Sequence, residues 1–380
     1  MTRPMPVLRG VTWDHPRGLD SIRGASEAWE RRGGCSVVWE ARSLQGFADQ
    51  PLEILAERYD LLVIDHPHIP HAASSSLLLR LDEAGRDEEL TLLAGQSVGL
   101  SHRSYQHAGH QYGLAVDAAA QVAAWRPDLL GTPPRSWDEV FALAREGRVL
   151  WPSKPVDAIS SFLTLAANRG FAVADDVFVE RDAGLEILDQ LHRLAGSVPA
   201  ACLEENPIQT AERLVSADTW CYAPLTFGYT NYSRAGFRAH RVAYADIPAG
   251  PRGVAGSCLG GAGIAVSSRT LHVEEAAAFA FWVASAEAQR GVYYASGGQP
   301  GNAVAWEDAD VNADCLDFFR ATRATLEGAW LRPRFDGWLD VQDRVGALIN
   351  QALRHELDDR TCLDRADEAV ARARVRRGAG

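Results

Sequence analysis

The chain has 380 residues, 47% hydrophobic and 23% charged, with a net charge of −12 and a pI near 5.4. That balance excludes a disordered or fibrous chain, and the length exceeds what one core usually reaches, so two domains are expected. The acidic charge excludes a nucleic-acid or anionic-membrane surface, either of which needs a clustered basic face; the one basic cluster, 372–377, is expected to fray.

The opening MTRPMPVLRGVTWD reaches a strand over 7–13 at once, with no apolar leader core and no small-residue cleavage site. This predicts a cytoplasmic location, the alternative being a periplasmic or extracellular protein whose leader was trimmed. A helix over 18–31, a strand over 35–40, a helix over 52–58 and an apolar run over 61–65 follow; the run reads as a buried parallel strand. Such a βαβαβ opening implies an α/β lobe. A strand over 112–122 then crosses to a second lobe, where Ser136 caps a helix over 136–146 with acidic residues in its first turn. Next come a short strand over 149–152, helices over 160–169, 183–194 and 209–216, and a strand over 219–222. The segment 256–266 crosses back to a helix over 274–295. The segment 317–326 leads to a third crossing, and helices near 340–357 and 364–374 return to the second lobe. No stretch approaches the roughly 18 apolar residues of a membrane span. Six cysteines lack metal-ligand spacing and read as mostly buried thiols in a reducing compartment.

The stretch 259–301 joins a glycine turn, an apolar strand, an amphipathic helix and a glycine-proline turn. Gly260 and Gly261 open the strand Gly263-Ile264-Ala265-Val266, EAAAFAFWVASAEAQ runs from Glu275 to Gln289, and Gly297 to Pro300 closes the unit. Other motifs are Tyr59-Asp60-Leu61-Leu62-Val63, Tyr112-Gly113-Leu114-Ala115-Val116-Asp117, Arg126-Pro127-Asp128-Leu129-Leu130, Pro134-Arg135-Ser136-Trp137-Asp138-Glu139, Leu331-Arg332-Pro333 and Ile349-Asn350-Gln351-Ala352-Leu353. In this order they resemble the family 1 solute-binding proteins of ABC importers, the maltose and oligosaccharide type. The resemblance implies an α/β, two-lobed periplasmic-binding-protein-like fold of type II, each lobe a mixed, mainly parallel sheet flanked by helices, with three hinge crossings. Lobe 1 would comprise 1–114 and 265–325, lobe 2 would comprise 115–264 and 326–380. The implied function is reversible binding of a small polar solute, a carbohydrate or small organic acid, in an interdomain cleft that closes by hinge bending. Expected partners are that solute and the membrane subunits of an ABC importer. A monomer is expected, with no cofactor, metal, nucleic acid or membrane insertion.

Loops at the C-terminal ends of parallel strands face the ligand in such sheets. Trp13-Asp14-His15 offers stacking with directed hydrogen bonds, and is equally readable as a strand-end turn. Asp65-His66-Pro67-His68 stands at a ligand position of the family, and His66 and His68 point the same way if the segment is extended. A metal there would need further donors from Asp14, His15, His71 or the group His102, His107 and His110, and no zinc motif is present. Asp117 matches an acidic ligand contact of the family, its plainer reading being a solvated hinge carboxylate. In the second lobe Lys154 and Asp157 lie in a predicted loop; Lys154 is the only lysine in a chain where arginine otherwise replaces it, and arginine cannot mimic its compact, titratable ammonium. Trp220, Tyr222 and Tyr229 are candidate stacking aromatics. Gly260 and Gly261 can bring backbone N–H groups close to a ligand, and Arg334 and Trp338 can close over it. The rival reading is a cytoplasmic enzyme on the same scaffold, resembling thiaminase I, with Cys221 or Cys258 as nucleophile and Asp14, His15, His66 or His68 as base.

Overall fold

The computed structural model describes residues 5–43 and 51–378, and the chain divides into two compact units, Met1–Ala118 with Gly260–Ala313, and Ala119–Leu259 with Asp314–Gly380. No described helix is long and apolar enough to cross a membrane.

The first unit is built on a five-stranded sheet. Val7–Trp13 pairs in parallel with Ser36–Arg42 on one side and with Leu61–Ile64 on the other. Gly263–Val266 then runs antiparallel to Leu61–Ile64 and to the short strand Leu114–Ala115. Leu61–Ile64 is buried throughout, as its uninterrupted apolar run requires of a strand covered on both faces. The helix Leu19–Arg31 turns Leu19, Ile22 and Ala25 inward at helical spacing, into a core shared with Phe279, Ala280 and Val283 of the helix Val273–Ala284. That last helix ends at Ser285, short of the expected 295; a separate turn follows, in which Gly291 departs from helical geometry.

The second unit pairs Ala119–Trp125 antiparallel with both Tyr222–Phe227 and Ala243–Ala245, and its parallel pairings among the described residues are isolated bridges, Ser136 with Ala249, Cys258 with Trp330 and Val149 with Tyr222. It is therefore less parallel than expected. Likewise 149–152 forms only the bridge at Val149. The expected strand over 219–222 begins at Tyr222 instead, running through Pro224 to Phe227. Trp137–Arg145 starts with a full capping box between Ser136 and Glu139, and Pro207–Ser216 with one between Asn206 and Gln209. The tail is a helix, Asp359–Gly378, in which Arg372 reaches Glu368 and Arg374 reaches Asp176; it does not fray at 372 as expected.

The helix Pro155–Arg169 is the axis of this unit. Twelve of its 15 residues are buried, and the helix Trp338–Leu353 crosses it so closely that a Cβ on Gly346 would lie 2.6 Å from the Pro155 carbonyl. Two of its inward polar side chains, Ser161 and Thr164, are satisfied. Ser161 Oγ accepts from Trp151 Nε1 at 3.0 Å and Gln121 Nε2 at 3.1 Å, while Thr164 donates to Gln121 Oε1 at 2.7 Å and accepts from the Cys258 amide at 2.9 Å. Buried polar groups satisfied in this way fix one arrangement of helix against strand.

Candidate functional site

In the first unit, Trp13 ends its strand inside the core at 6% exposure, Asp14 is exposed, and the half-buried His15 accepts the Arg17 amide on Nδ1 at 3.1 Å. The side chain that sequence reasoning missed is Arg17. It is buried and donates to Asp117 twice, Nε to Oδ2 at 2.7 Å and Nη2 to Oδ1 at 2.5 Å. Asp117 is therefore a buried, paired carboxylate at 1% exposure rather than a solvated one. Burial pushes its carboxyl up, and the Arg17 charge and hydrogen bonds oppose that. The Tyr293 hydroxyl, raised by burial and by the Asp117 charge, lies against Ser21 in the same interior. No motif announced Arg17; its signal was a basic residue in the turn that enters the first helix.

The segment after the third strand is not extended. His66–His68 forms a 3₁₀ turn that runs directly into the helix Ile69–Ser74, favoured by Pro67 and Pro70, whose fixed φ suits a first helical turn. The two-residue spacing consequently does not align the histidines. His66 is fully buried and edge-on to Tyr105, with ring centroids 6.4 Å apart, whereas His68 and Asp65 are half-buried. Gly261 has φ of 105° and sits against the crossing segment: a Cβ there would be 2.4 Å from the Asp117 carbonyl. Gly260, beside it, is half-buried.

In the second unit, Lys154 and Asp157 do not lie in a loop. Lys154 is the N-cap residue of Pro155–Arg169, and Asp157 stands in its first turn; Pro155 at the first helical position starts the helix five residues earlier than expected. Asp157 is only 3% exposed, and its Oδ2 is buried without a hydrogen-bond partner. Desolvation raises its carboxyl to about 7, against a weaker pull from Lys154. The Lys154 amide donates to the Glu205 carbonyl at 3.2 Å. The Glu205 carboxylate takes Arg213 on Oε1 at 2.8 Å and leaves Oε2 buried and unpartnered. Arg213 in turn lies over the Trp220 ring, 4.1 Å from its centroid. Lys154, Asp157, Glu205, Arg213 and the half-buried Trp220 thus form one connected group, with two carboxylate oxygens able to accept hydrogen bonds and an indole already paired with a cation.

The other candidates of this unit lie apart from that group. Tyr222 is fully buried in the core, reaching the Pro134 carbonyl at 3.5 Å, and Trp338 is 1% exposed against Phe335. Tyr229 is 8% exposed and Arg334 half-buried. Cys221 and Cys258, the nucleophiles of the enzyme reading, are fully buried, and burial pushes the Cys221 thiol up, away from the thiolate that attack requires. All six cysteines are buried and none is in a disulfide.

Over residues 54–317 the chain matches a family described as bacterial extracellular solute-binding protein. Its fold is also that of solved solute-binding proteins. The maltose-bound MalE3 of T. maritima superposes with a TM-score of 0.82 at 17% identity, over 96% of this chain and 99% of that one. A solute-binding protein of Thermotoga lettingae bound to α-D-tagatose gives 0.81 at 16% identity, over 97% and 99%. One of Agrobacterium radiobacter in complex with ribitol gives 0.78 at 21% identity, over 97% and 98%. These likenesses show the two-lobed periplasmic-binding-protein fold. No curated protein matches the chain.

Proposed function

The chain belongs to the bacterial extracellular solute-binding protein family, and we propose that it reversibly binds a small, hydroxyl-rich solute, a carbohydrate or polyol, for delivery to the membrane subunits of an ABC importer. The observation that carries this reading is Asp157, a carboxylate 3% exposed whose Oδ2 has no partner. A buried acceptor left unmade costs about 1–3 kcal/mol, which a solute hydroxyl recovers by donating to it. Glu205 Oε2 offers a second such acceptor, and Trp220 an apolar face for a sugar ring. A carboxylate-bearing solute would instead set its charge against two acidic groups, with Lys154 as the nearby compensation. The maltose, tagatose and ribitol in the similar structures favour the same solute class.

Calorimetric titration of maltose, tagatose, ribitol and small organic acids into the purified protein tests this, with mass spectrometry of the recovered ligand. Saturable binding of a sugar or polyol recovered unchanged, weakened at least roughly tenfold by Asp157→Ala through loss of a buried hydrogen bond of about 1.5–3 kcal/mol, is expected. Binding of acids alone, or chemical conversion of the ligand, would overturn it.

A further inference from the structure

A second cluster in the first unit lies outside the group just described. Gln106–His107 and His110–Gln111 form a small antiparallel hairpin in which His107 stands directly opposite His110. Ala108 and Gly109 join them with φ of 49° and 85°, the left-handed pair that a two-residue hairpin turn requires. Residues directly opposite on such a pair leave the same face with Cβ atoms about 4.5–5.5 Å apart. His110 meets the 3₁₀ turn Leu81–Glu83. His110 Nδ1 is 2.8 Å from Asp82 Oδ2 and 3.9 Å from Glu83 Oε1, and one ligand atom from each of the three residues lies within 4.8 Å of the others.

We propose that Asp82, Glu83 and His110, completed by His107, bind one divalent transition-metal ion, zinc by the chemistry of its donors. Two ligands about 2.0–2.2 Å from a tetrahedral ion stand roughly 3.3–3.6 Å apart, and the two measured separations bracket that value. Two imidazoles and two carboxylates suit zinc, whereas calcium and magnesium take oxygen donors. The Gln111 amide donates to Asp82 Oδ1 at 2.8 Å, which aims Oδ2 at His110; outer contacts of this kind orient metal ligands. Arg80 donates to Glu83 Oε1 at 3.0 Å and balances that carboxylate in the metal-free protein. Zinc takes the lone pair of His110 Nδ1, whose N–H is then carried on Nε2, together with the ionised carboxylates, so the step needs no change of oxidation state. The bound ion would clamp the hairpin to the turn. Among the described residues only Asp82, Glu83 and His110 bring three ligand atoms within 4.8 Å of one another, so His107 completes the set by turning its ring toward them from the opposite position of the hairpin, while His102 is buried and held neutral, its imidazole lowered to about 4.

The test is calorimetric titration of zinc chloride into the untagged full chain after dialysis against a chelator, with cobalt substitution to read the geometry. One zinc per chain, a tetrahedral cobalt spectrum and a zinc-dependent rise in Tm are expected. His110→Ala and, separately, Asp82→Asn should each weaken zinc at least about tenfold, since even an outer-sphere change costs about 10–100-fold, and His107→Gln should alter the cobalt spectrum. These side chains are partly exposed, and circular dichroism checks that the variants fold. Absence of stoichiometric zinc binding, or unchanged affinity in both His110→Ala and Asp82→Asn, overturns the proposal.

Discussion

Arg17 holds Asp117 by two parallel hydrogen bonds, at 2.7 Å and 2.5 Å, across 100 residues of chain inside the first unit. The pair ties the turn before the first helix to the last residues of the unit's first segment, which ends at Ala118. Removing one member of a buried pair leaves the other charged and uncompensated, which costs about 3–5 kcal/mol, whereas replacing both with apolar groups is often far milder. Arg17→Met should therefore lower unfolding stability by about 3–5 kcal/mol in urea, and Arg17→Met/Asp117→Leu should recover at least about half of that loss. Equal losses in the single and double variants would show that the pair does not act as a unit.

Asp157 gives the second unit a distinctive pH response. Its folded carboxyl titrates near 7, above the roughly 3.9 of an unfolded aspartate. Between those values the folded protein holds the proton more tightly than the unfolded chain. Stability therefore falls as pH rises from about 4 to about 7 and levels off above. Asp157→Asn should remove that slope, matching the parent near pH 4 and exceeding it at pH 8 by a few kcal/mol, of the order of 4 at most. Denaturation at three pH values measures it.

Gly261 combines φ of 105° with a 2.4 Å approach to the Asp117 carbonyl. An added methyl group meets both an unfavourable backbone region and rigid main chain, and such substitutions destabilise by more than about 1 kcal/mol. Gly261→Ala is expected to lower Tm by several degrees, while Gly131→Ala, with nothing within 4 Å of its Cβ, should leave Tm nearly unchanged.

The six thiols should resist modification in the native state. All are buried, and burial pushes Cys202 up to about 11 and Cys362 up to about 12, leaving little thiolate at neutral pH. Brief treatment with iodoacetamide should add no label by mass spectrometry, and denaturant should expose all six. Rapid native labelling of Cys221 or Cys258 would revive a nucleophilic role for it.

The parts of this molecule that were legible in its sequence are those where local chemistry and global fold agree. The Leu61–Ile64 strand and the helix after Ser136 follow from an apolar run and a capping pattern that few other structures satisfy. Tyr222–Phe227 was displaced because Pro224 sits inside it, and a proline argues against a strand unless context overrides. The start of Pro155–Arg169 was misplaced because proline reads both as loop and as first helical residue. The histidines after Ile64 were given strand periodicity where two prolines impose a helical turn. Asp157 was named by its position in the sequence, but its lack of a partner is a fact of packing. Arg17 and Glu205 were invisible for the same reason: each gains its meaning from residues brought to it by the fold, and no spacing rule encodes that.

Because Lys154 is the chain's only lysine and caps the helix that carries Asp157, it provides a ready address for spectroscopy. An amine-reactive fluorophore has one side chain to choose, and that side chain stands three residues from the carboxylate assigned to the solute. Once the α-amino group, which titrates at about 8, has been blocked, the sequence thus supplies a single-lysine optical reporter of occupancy, obtained without introducing a cysteine among six native thiols.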